Sequence, residues 1–530
     1  MSGAVLTIDQ DVWKPKYNPW LIAVVVALAA FMEVLDTSIA NVALPYMAGS
    51  LGASNDQSTW VLTSYLVSNA IILPMSAWIA GALGRKRFFM ICLAIFTVSS
   101  LLCGLAPSLG SLLFFRVLQG AGGGGLQPMA QAILADTFPP EKRGLAFALF
   151  GITAVTAPTI GPTLGGWITF SYSWRWIFFI NLPVGVITWL LVRRFVEDPP
   201  YLKRLRGAGV KLDYVGIAFL IVGIGALQIL LDKGQEDDWF GSNFITALVI
   251  ISALCLISLV IWEWFHKAPI IDVRMFKSFN FASSSLMMFV VGIVLFSSLV
   301  LMPQFLQTLL GYTSQLAGLA LSAGGLVLLI QMPIVGQLTM RVQARRLIAF
   351  GWLALAVAMF YSTRRIDLQI SFSAATWLRV AQVVGLGFLF VPISLVSYIG
   401  VSPEKNNSVA GIMNFMRNIG SGVGTSLVTT LIARRSQFHQ LRLVEHSRLD
   451  NPNFANAAQG LTQRFANAGM GTHEASVAAY ASLYRSLQAQ AASMAYVDTF
   501  MVLCMGAAIM FVLAFFLKKN EPGGGMTVAE

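Results

Sequence analysis

Long runs of hydrophobic residues, separated by short polar stretches, make up most of the chain. A run of roughly 17–25 such residues is long enough to cross the ~30 Å hydrocarbon layer of a membrane. The pattern predicts fourteen membrane-spanning helices, at about residues 20–44, 59–83, 88–106, 109–135, 145–169, 174–192, 214–231, 243–265, 281–302, 316–338, 347–362, 373–400, 408–433 and 497–517. Because the number is even, both termini are predicted on the same side.

Composition and charge agree with this pattern. Of the 530 residues, 56% are hydrophobic and only 11% are charged, and the mean hydropathy is +0.72. Soluble domains carry about a quarter charged residues, so an integral membrane protein is indicated. The net charge of +11 comes largely from short loops such as GRKRF (84–88) and KRLRG (203–207). Basic short loops face the cytoplasm, which places both termini there and argues against nucleic-acid binding.

No cofactor and no metal are predicted. The cysteines are scattered through hydrophobic runs, and the histidines follow no metal-binding spacing. The glycine-rich GAGGGG (120–125) lacks the Gly-Lys-Ser/Thr of a phosphate loop and lies inside a predicted span, so it is interpreted as a packing surface. The first hydrophobic run is too long for a cleavable signal peptide.

The chain contains an internal repeat at an offset of 263 residues. FFRVLQGAGGGGLQPM (114–129) aligns with WLRVAQVVGLGFLFVP (377–392), and PEK recurs at 140–142 and 403–405. Such duplication predicts two six-helix bundles in parallel orientation. We therefore expect bundles at residues 1–200 and 273–530 with a helix pair inserted between them at 201–272.

The first span carries two acids, Glu33 and Asp36. An ionisable group in mid-membrane costs about 2.5–3.5 kcal/mol, so it is rarely there without a function. Residues three apart share a helix face, and both acids are therefore expected to face one polar cavity. At 1.5 Å per residue, Arg116 in the fourth span reaches a depth similar to that of Asp36. We interpret Asp36, Glu33 and Arg116 as a proton-coupling site.

Further polar side chains inside predicted spans are candidates for lining the cavity: Asn41, Gln119, Arg379, Gln382, Asn414 and Arg417. The fifth span, GITAVTAPTIGPTLGGW (151–167), combines helix-breaking prolines with closely spaced glycines. It is interpreted as a conformational pivot formed by Pro158, Gly161, Pro162, Gly165 and Gly166.

Several segments resemble the drug:proton antiporters of the major facilitator superfamily. GPTLGG resembles their motif C, and RVLQG (116–120) their motif B, whose arginine is implicated in proton coupling. LDTSIANVALP (35–45), WRWIFFINLPVG (174–185) and NFMRNIGSGVGTS (414–426) resemble the fourteen-span DHA2 branch. The resemblance implies a proton-coupled exporter of hydrophobic drugs and toxic compounds in the bacterial inner membrane. It also implies an EmrA-type periplasmic adaptor and a TolC-type outer-membrane channel as partners.

One motif departs from the family. Motif A normally carries an aspartate and a basic residue before GR, but AGALGRKRF (80–88) has Gly81 and Ala82 at those places. The gating ion pair that the family assigns to this motif is therefore not expected here.

The polar segment 434–496 is longer than a simple connection between two spans requires. We expect a small helical element on the periplasmic face that contacts the adaptor. Among other functions, a dedicated exporter of one metabolite, fatty acid or siderophore is the main alternative. A membrane enzyme or a passive channel is a more distant one, because the histidines are poorly placed for catalysis and the repeated halves are typical of a transporter.

Overall fold

The computed structural model describes residues 15–199, 213–267, 269–448 and 450–518. In these ranges the chain forms α-helices and short 3-10 turns, without strands. The α-helices are α1 Pro19–Leu51, α2 Asn55–Leu83, α3 Arg85–Leu105, α4 Leu109–Gly123, α5 Leu126–Thr137, α6 Arg143–Ser171, α7 Trp176–Phe179, α8 Asn181–Phe195, α9 Tyr214–Lys233, α10 Asn243–Phe265, α11 Phe279–Thr308, α12 Ser314–Leu338, α13 Ala344–Arg365, α14 Phe372–Ser397, α15 Asn406–Glu445, α16 Pro452–Asn467 and α17 Thr472–Ala514.

Local sequence signals explain where many helices begin and end. Ser54 and Ser108 cap α2 and α4, and each serine side chain accepts a hydrogen bond from a free backbone N–H of the first turn. Gly52 ends α1 in the left-handed conformation at φ 65°, which glycine adopts without steric cost. The turns between α1, α2 and α3 are therefore only a few residues long.

Twelve helices in the described part are long and apolar enough to cross a membrane, so the chain is a multi-pass membrane protein. Three predicted spans differ in form. The fourth consists of α4 and α5, because the helix is interrupted at Gly124 and Gly125. The thirteenth lies within α15, which continues to Glu445, and the fourteenth is the second half of α17.

The two repeated segments share two local features, although the helix is continuous in the second. Both PEK segments form 3-10 turns, at Pro140–Lys142 and Pro403–Lys405. A Cβ on Gly122 would lie 2.6 Å from the backbone of Phe96 in α3, and one on Gly385 would lie 2.6 Å from that of Leu355 in α13. The glycines therefore allow equivalent close helix contacts in each half.

The helices alternate in direction between two ends of the bundle. We call the end at which α1 begins the near end and the opposite end the far end. α6 packs along α1 and also along α12 of the second half, while α15 packs along α11 and along α2 of the first half. These two contacts form the main interface between the halves.

α9 and α10 correspond to the predicted inserted pair. α9 packs against α2 and α15, whereas α10 contacts mainly α9 and leaves most of its surface exposed. The predicted boundary at residues 200–201 and the basic segment 203–207 lie outside the described residues, as do residues 1–14.

Candidate functional site

A buried ion pair joins α1 to α4. Nη1 of Arg116 lies 2.7 Å from Oδ2 of Asp36, and their side chains are 0% and 1% exposed. The structure therefore pairs the two residues that the sequence places at the same depth. Burying two charges is costly unless further hydrogen bonds satisfy them.

Additional donors and acceptors surround this pair. Oδ1 of Asp36 accepts hydrogen bonds from Nε2 of Gln119 at 2.9 Å and from Nδ2 of Asn181, on α8, at 2.6 Å. Nε of Arg116 donates to the backbone oxygen of Val61 at 3.1 Å, and its guanidinium lies 4.3 Å from the ring centre of Tyr65. Asp36 is thus held by α4 and α8, and Arg116 by α2.

Glu33 lies in a second hydrogen-bond network. Its Oε1 accepts from the hydroxyl of Tyr65 at 3.0 Å and from Nδ2 of Asn69 at 3.1 Å, and its Oε2 accepts from Nε2 of Gln127. Gly123 makes room for this arrangement, since a Cβ there would lie 3.3 Å from Cγ of Glu33. Three donors therefore stabilise the charged carboxylate.

Gln127 connects the two halves of the protein. Its Oε1 accepts a hydrogen bond from the guanidinium of Arg417, on α15, while its amide nitrogen donates to Glu33. The acid of the first half and the buried cation of the second are thereby linked through one side chain.

The expectation that both acids face one cavity is wrong for Asp36. Glu33 lines the cavity described below, but Asp36 does not and instead points to α4 and α8. Positions three apart on a helix are still about 60° apart around its axis, because each residue advances by ~100°. That offset is enough to place the two carboxylates in separate networks.

A cavity of about 390 Å³ lies between the halves, within the range of roughly 300–1,000 Å³ typical of ligand pockets. Its polar lining includes Glu33, Asn41, Arg116, Gln127, Asp232 and Arg417. Its apolar wall consists of Val42, Leu62, Leu66, Leu295, Phe296, Leu299, Val300 and Leu321. The cavity therefore combines a large apolar surface with a few charged groups.

Contacts between the halves close the cavity towards the near end. Nδ2 of Asn414 donates to Oε1 of Gln131 at 2.5 Å, one turn beyond Gln127 on α5. Further along, Asn406 donates to Asp136 at 2.6 Å. Arg85 forms an ion pair with Asp136 and also donates to Asn407 of the second half.

Arg85 belongs to the altered motif A. A Cβ on Gly81 would have no neighbouring atom within 4 Å, so there is open space where the family's motif carries a charged side chain. The link between the halves is formed instead by Arg85 and Asp136 with the asparagines at the start of α15.

Other predicted residues lie elsewhere. Arg379 and Gln382 are buried in the second half, where they bond Ser298 at 2.7 Å and Ser362 at 3.0 Å. Neither they nor Asn414 and Gln119 line the cavity. Arg379 has no acidic partner among the described residues, in contrast to Arg116.

The predicted pivot residues have three different surroundings. A Cβ on Gly161 would collide with Ser38, and one on Gly165 would lie 3.0 Å from Ile39, so both glycines face α1 of the same half. Gly166 has only Val42 nearby, at 3.9 Å. The prolines 158 and 162 lie inside the helix and line the cavity.

Contact of α6 with the second half involves different residues. A Cβ on Gly325 would lie 2.7 Å from Thr159, and one on Gly318 would lie 2.9 Å from Thr163. α6 is therefore packed closely on both sides, with its own glycines towards α1 and with the glycines of α12 towards the other half.

Five residues of the site were not identified from sequence: Tyr65, Asn69, Gln127, Asn181 and Asp232. Gln127 and Asn181 lie inside segments singled out for other reasons, the repeat and WRWIFFINLPVG. For the first four, an uncharged polar residue in an apolar span was the available signal, but many such residues only bond their own helix. Asp232 directly follows the predicted span 214–231, where an acid is expected at the membrane surface.

Comparisons with known proteins agree with this architecture. The family model described as Major Facilitator Superfamily matches residues 26–425. The chain is 37% identical to the multidrug export protein EmrB of Escherichia coli K12, over 86% of this chain and 88% of that one. It is 40% identical to the fatty acid resistance protein FarB of Neisseria gonorrhoeae, over 79% and 82%.

Solved structures show the same fold. The proton:xylose symporter XylE superposes with a TM-score of 0.59 at 14% identity, covering 96% of this chain and 97% of that one. The human organic anion transporter MFSD10 gives a TM-score of 0.56 at 14% identity, covering 93% and 100%.

Proposed function

Because the chain belongs to the Major Facilitator Superfamily, we propose that it is a proton-coupled antiporter that exports hydrophobic drugs and toxic compounds. The observation that carries the proposal is the pair formed by Asp36 and Arg116, buried beside a large apolar cavity. Burying an ion pair at this depth costs free energy, so its presence indicates a function. Binding and releasing a transported proton is the simplest such function.

Proton uptake at the acids provides the coupling. A proton on Asp36 removes the negative charge that Arg116 balances, and the guanidinium then needs another partner. A proton on Glu33 makes Oε2 a poor acceptor for Gln127, which also bonds Arg417 of the other half. Protonation thus alters contacts within the first half and between the halves, which biases the equilibrium between their arrangements.

The topology follows from the same proposal. The near end is cytoplasmic. α4 and α5 form one further span and α15 another, which with the twelve helices above makes fourteen spans in the bacterial inner membrane. Residues 1–200 and 273–530 form the two bundles, and 201–272 carries the inserted pair. In this orientation the closed end of the cavity faces the cytoplasm and its open part faces outwards.

We further propose that the segment 434–496, at the far end, docks a periplasmic adaptor of the EmrA type. The adaptor in turn connects the protein to a TolC-type outer-membrane channel. At 1.5 Å per residue, the 40-residue α15 and the 43-residue α17 are about 60 and 65 Å long, roughly twice the hydrocarbon thickness. The extension of α17 packs against α16, and Nε2 of Gln440 in α15 donates to the hydroxyl of Tyr484 in α17 at 3.0 Å. Both extensions expose apolar side chains, among them Leu441 and Val477 at 70% and 56%. Such a surface is suited to a partner protein.

Replacing residues 440–490 by a short Gly/Ser linker tests this assignment. Transport in reconstituted vesicles should remain within about twofold, because the acids and the cavity are distant and the ion pair of Arg435 with Asp498, 2.6 Å apart, is retained. Resistance in cells and crosslinking to the adaptor should be lost. Full resistance with unchanged adaptor capture would refute the docking role, and failure in vesicles would assign the segment to transport or folding.

A dedicated exporter of one amphipathic compound is the second candidate, favoured by the relative named for fatty acid resistance. A resistance panel in a host lacking its own pumps separates the two. A multidrug exporter raises tolerance to several chemically unrelated hydrophobic compounds, whereas a dedicated exporter raises tolerance to one class. Unchanged tolerance to every compound would reject both.

A further inference from the structure

The inserted helix α9 contributes an acid to the cavity. Asp232, in the last turn of α9, lines the cavity together with residues of both halves. Glu33 and Asp232 are the two carboxylates in this lining. α9 is therefore part of the cavity wall as well as an addition to the outside of the bundle.

The two carboxylates differ in how accessible they are. Glu33 is 4% exposed, and its two oxygens accept hydrogen bonds from three side chains. Asp232 is exposed, and the hydroxyl of Thr63 bonds its Oδ2. No hydrogen bond to its Oδ1 is present within the described ranges, so this oxygen is available to a molecule in the cavity.

No ion pair to Asp232 is present within the described residues. The adjacent Lys233 has partners of its own, since its ammonium lies 2.6 Å from Glu236 and also bonds Thr59. The two arginines of the cavity have other partners. Arg116 forms an ion pair with Asp36, and Arg417 donates a hydrogen bond to Gln127. Asp232 thus supplies the cavity with a negative charge that lacks a dedicated cation.

The end of α9 is fixed in position. Nε1 of Trp239, just beyond the helix, donates to Thr430 of α15 at 3.2 Å, and Thr63 holds Asp232 from α2. One turn before Asp232, Gln228 is buried with its Oε1 unpartnered. Asp232 is therefore a preorganised acceptor, not a mobile surface group.

We propose that Asp232 is a specificity-determining residue that binds the positive charge of lipophilic cations, while the apolar wall holds their hydrophobic part. This proposal rests on the proposed function, since it takes the cavity to be the substrate site. A partly desolvated carboxylate attracts a cation more strongly than water allows and repels an anion of the same shape.

Equilibrium binding to the purified full chain in lipid nanodiscs tests the proposal. The probes are tetraphenylphosphonium and tetraphenylborate, which are similar in size and opposite in charge. Asp232→Asn keeps the oxygen that accepts from Thr63 but removes the charge. It should weaken binding of the phosphonium about tenfold or more, a change of ~1.4 kcal/mol, and leave borate binding unchanged or tighter. Asp232→Glu should retain most of the phosphonium affinity.

Asp237→Asn is the matched control, because Asp237 is exposed in the following loop and does not line the cavity. It should bind both ions like the wild type. Unchanged phosphonium affinity in Asp232→Asn, or equal weakening of both ions, would overturn the proposal. Since binding needs no proton gradient, this result is independent of whether transport is proton-coupled.

Discussion

Replacing Asp36 by asparagine is expected to lower substrate-dependent proton movement by about a hundredfold or more, the scale of losing a group that transfers protons. Asparagine cannot take up and release a proton, and it cannot balance Arg116, whose Nη1 is 2.7 Å from the carboxylate. Proton and substrate fluxes in vesicles measure the effect. Glu141→Gln, on the exposed turn after α5, is the control and should behave like the wild type.

Loss of folding must be separated from loss of coupling. Removing one partner of a buried ion pair costs about 3–5 kcal/mol. The double variant Asp36→Asn with Arg116→Gln removes both charges and should regain thermal stability without regaining proton movement. A well-folded Asp36→Asn variant with wild-type coupled transport would refute the assignment of Asp36.

Gly161→Leu is expected to stop turnover while leaving the protein in the membrane. A Cβ at this position would lie 2.5 Å from Cβ of Ser38, so a leucine must separate α6 from α1. Overpacking of this kind costs typically 1–3 kcal/mol and displaces the helices. Because α6 also contacts α12, the displacement reaches the interface between the halves. Transport rates in vesicles and equilibrium binding of substrate give the readouts.

Gly166→Leu provides the control just over one turn away. A Cβ there meets only Val42, at 3.9 Å, so the larger side chain has room and transport should be retained. If Gly161→Leu transports like the wild type, α6 does not act as a pivot through this contact. Loss in both variants would indicate general damage to the helix.

Part of the site could be predicted because membrane burial simplifies the physics. Charged residues in spans are few, and depth follows from the helical rise, so Arg116 could be matched to Asp36 from the sequence alone. Glycines at regular spacing similarly predicted close contacts of α6. The helical fold followed from the length and number of hydrophobic runs.

The remaining features depend on rotation about helix axes and on packing between distant segments. The three-residue spacing of Glu33 and Asp36 predicted a common helix face, but the angle of about 60° between them places the two carboxylates in different networks. Gln127 and Asp232 are significant only because α5 faces α15 and α9 packs against α2. The interrupted fourth span and the long extensions of α15 and α17 lack a hydrophobic signal that marks their bounds.

Proton movement by the wild-type protein in sealed vesicles tests proton-coupled export most directly. The vesicles contain a pH-sensitive dye and an imposed proton gradient, and a hydrophobic substrate is added. Protons are expected to cross only when substrate is present, with substrate moving in the opposite direction, and collapsing the gradient is expected to stop substrate accumulation. Substrate accumulation without proton movement, or proton movement that is indifferent to substrate, would contradict proton-coupled export.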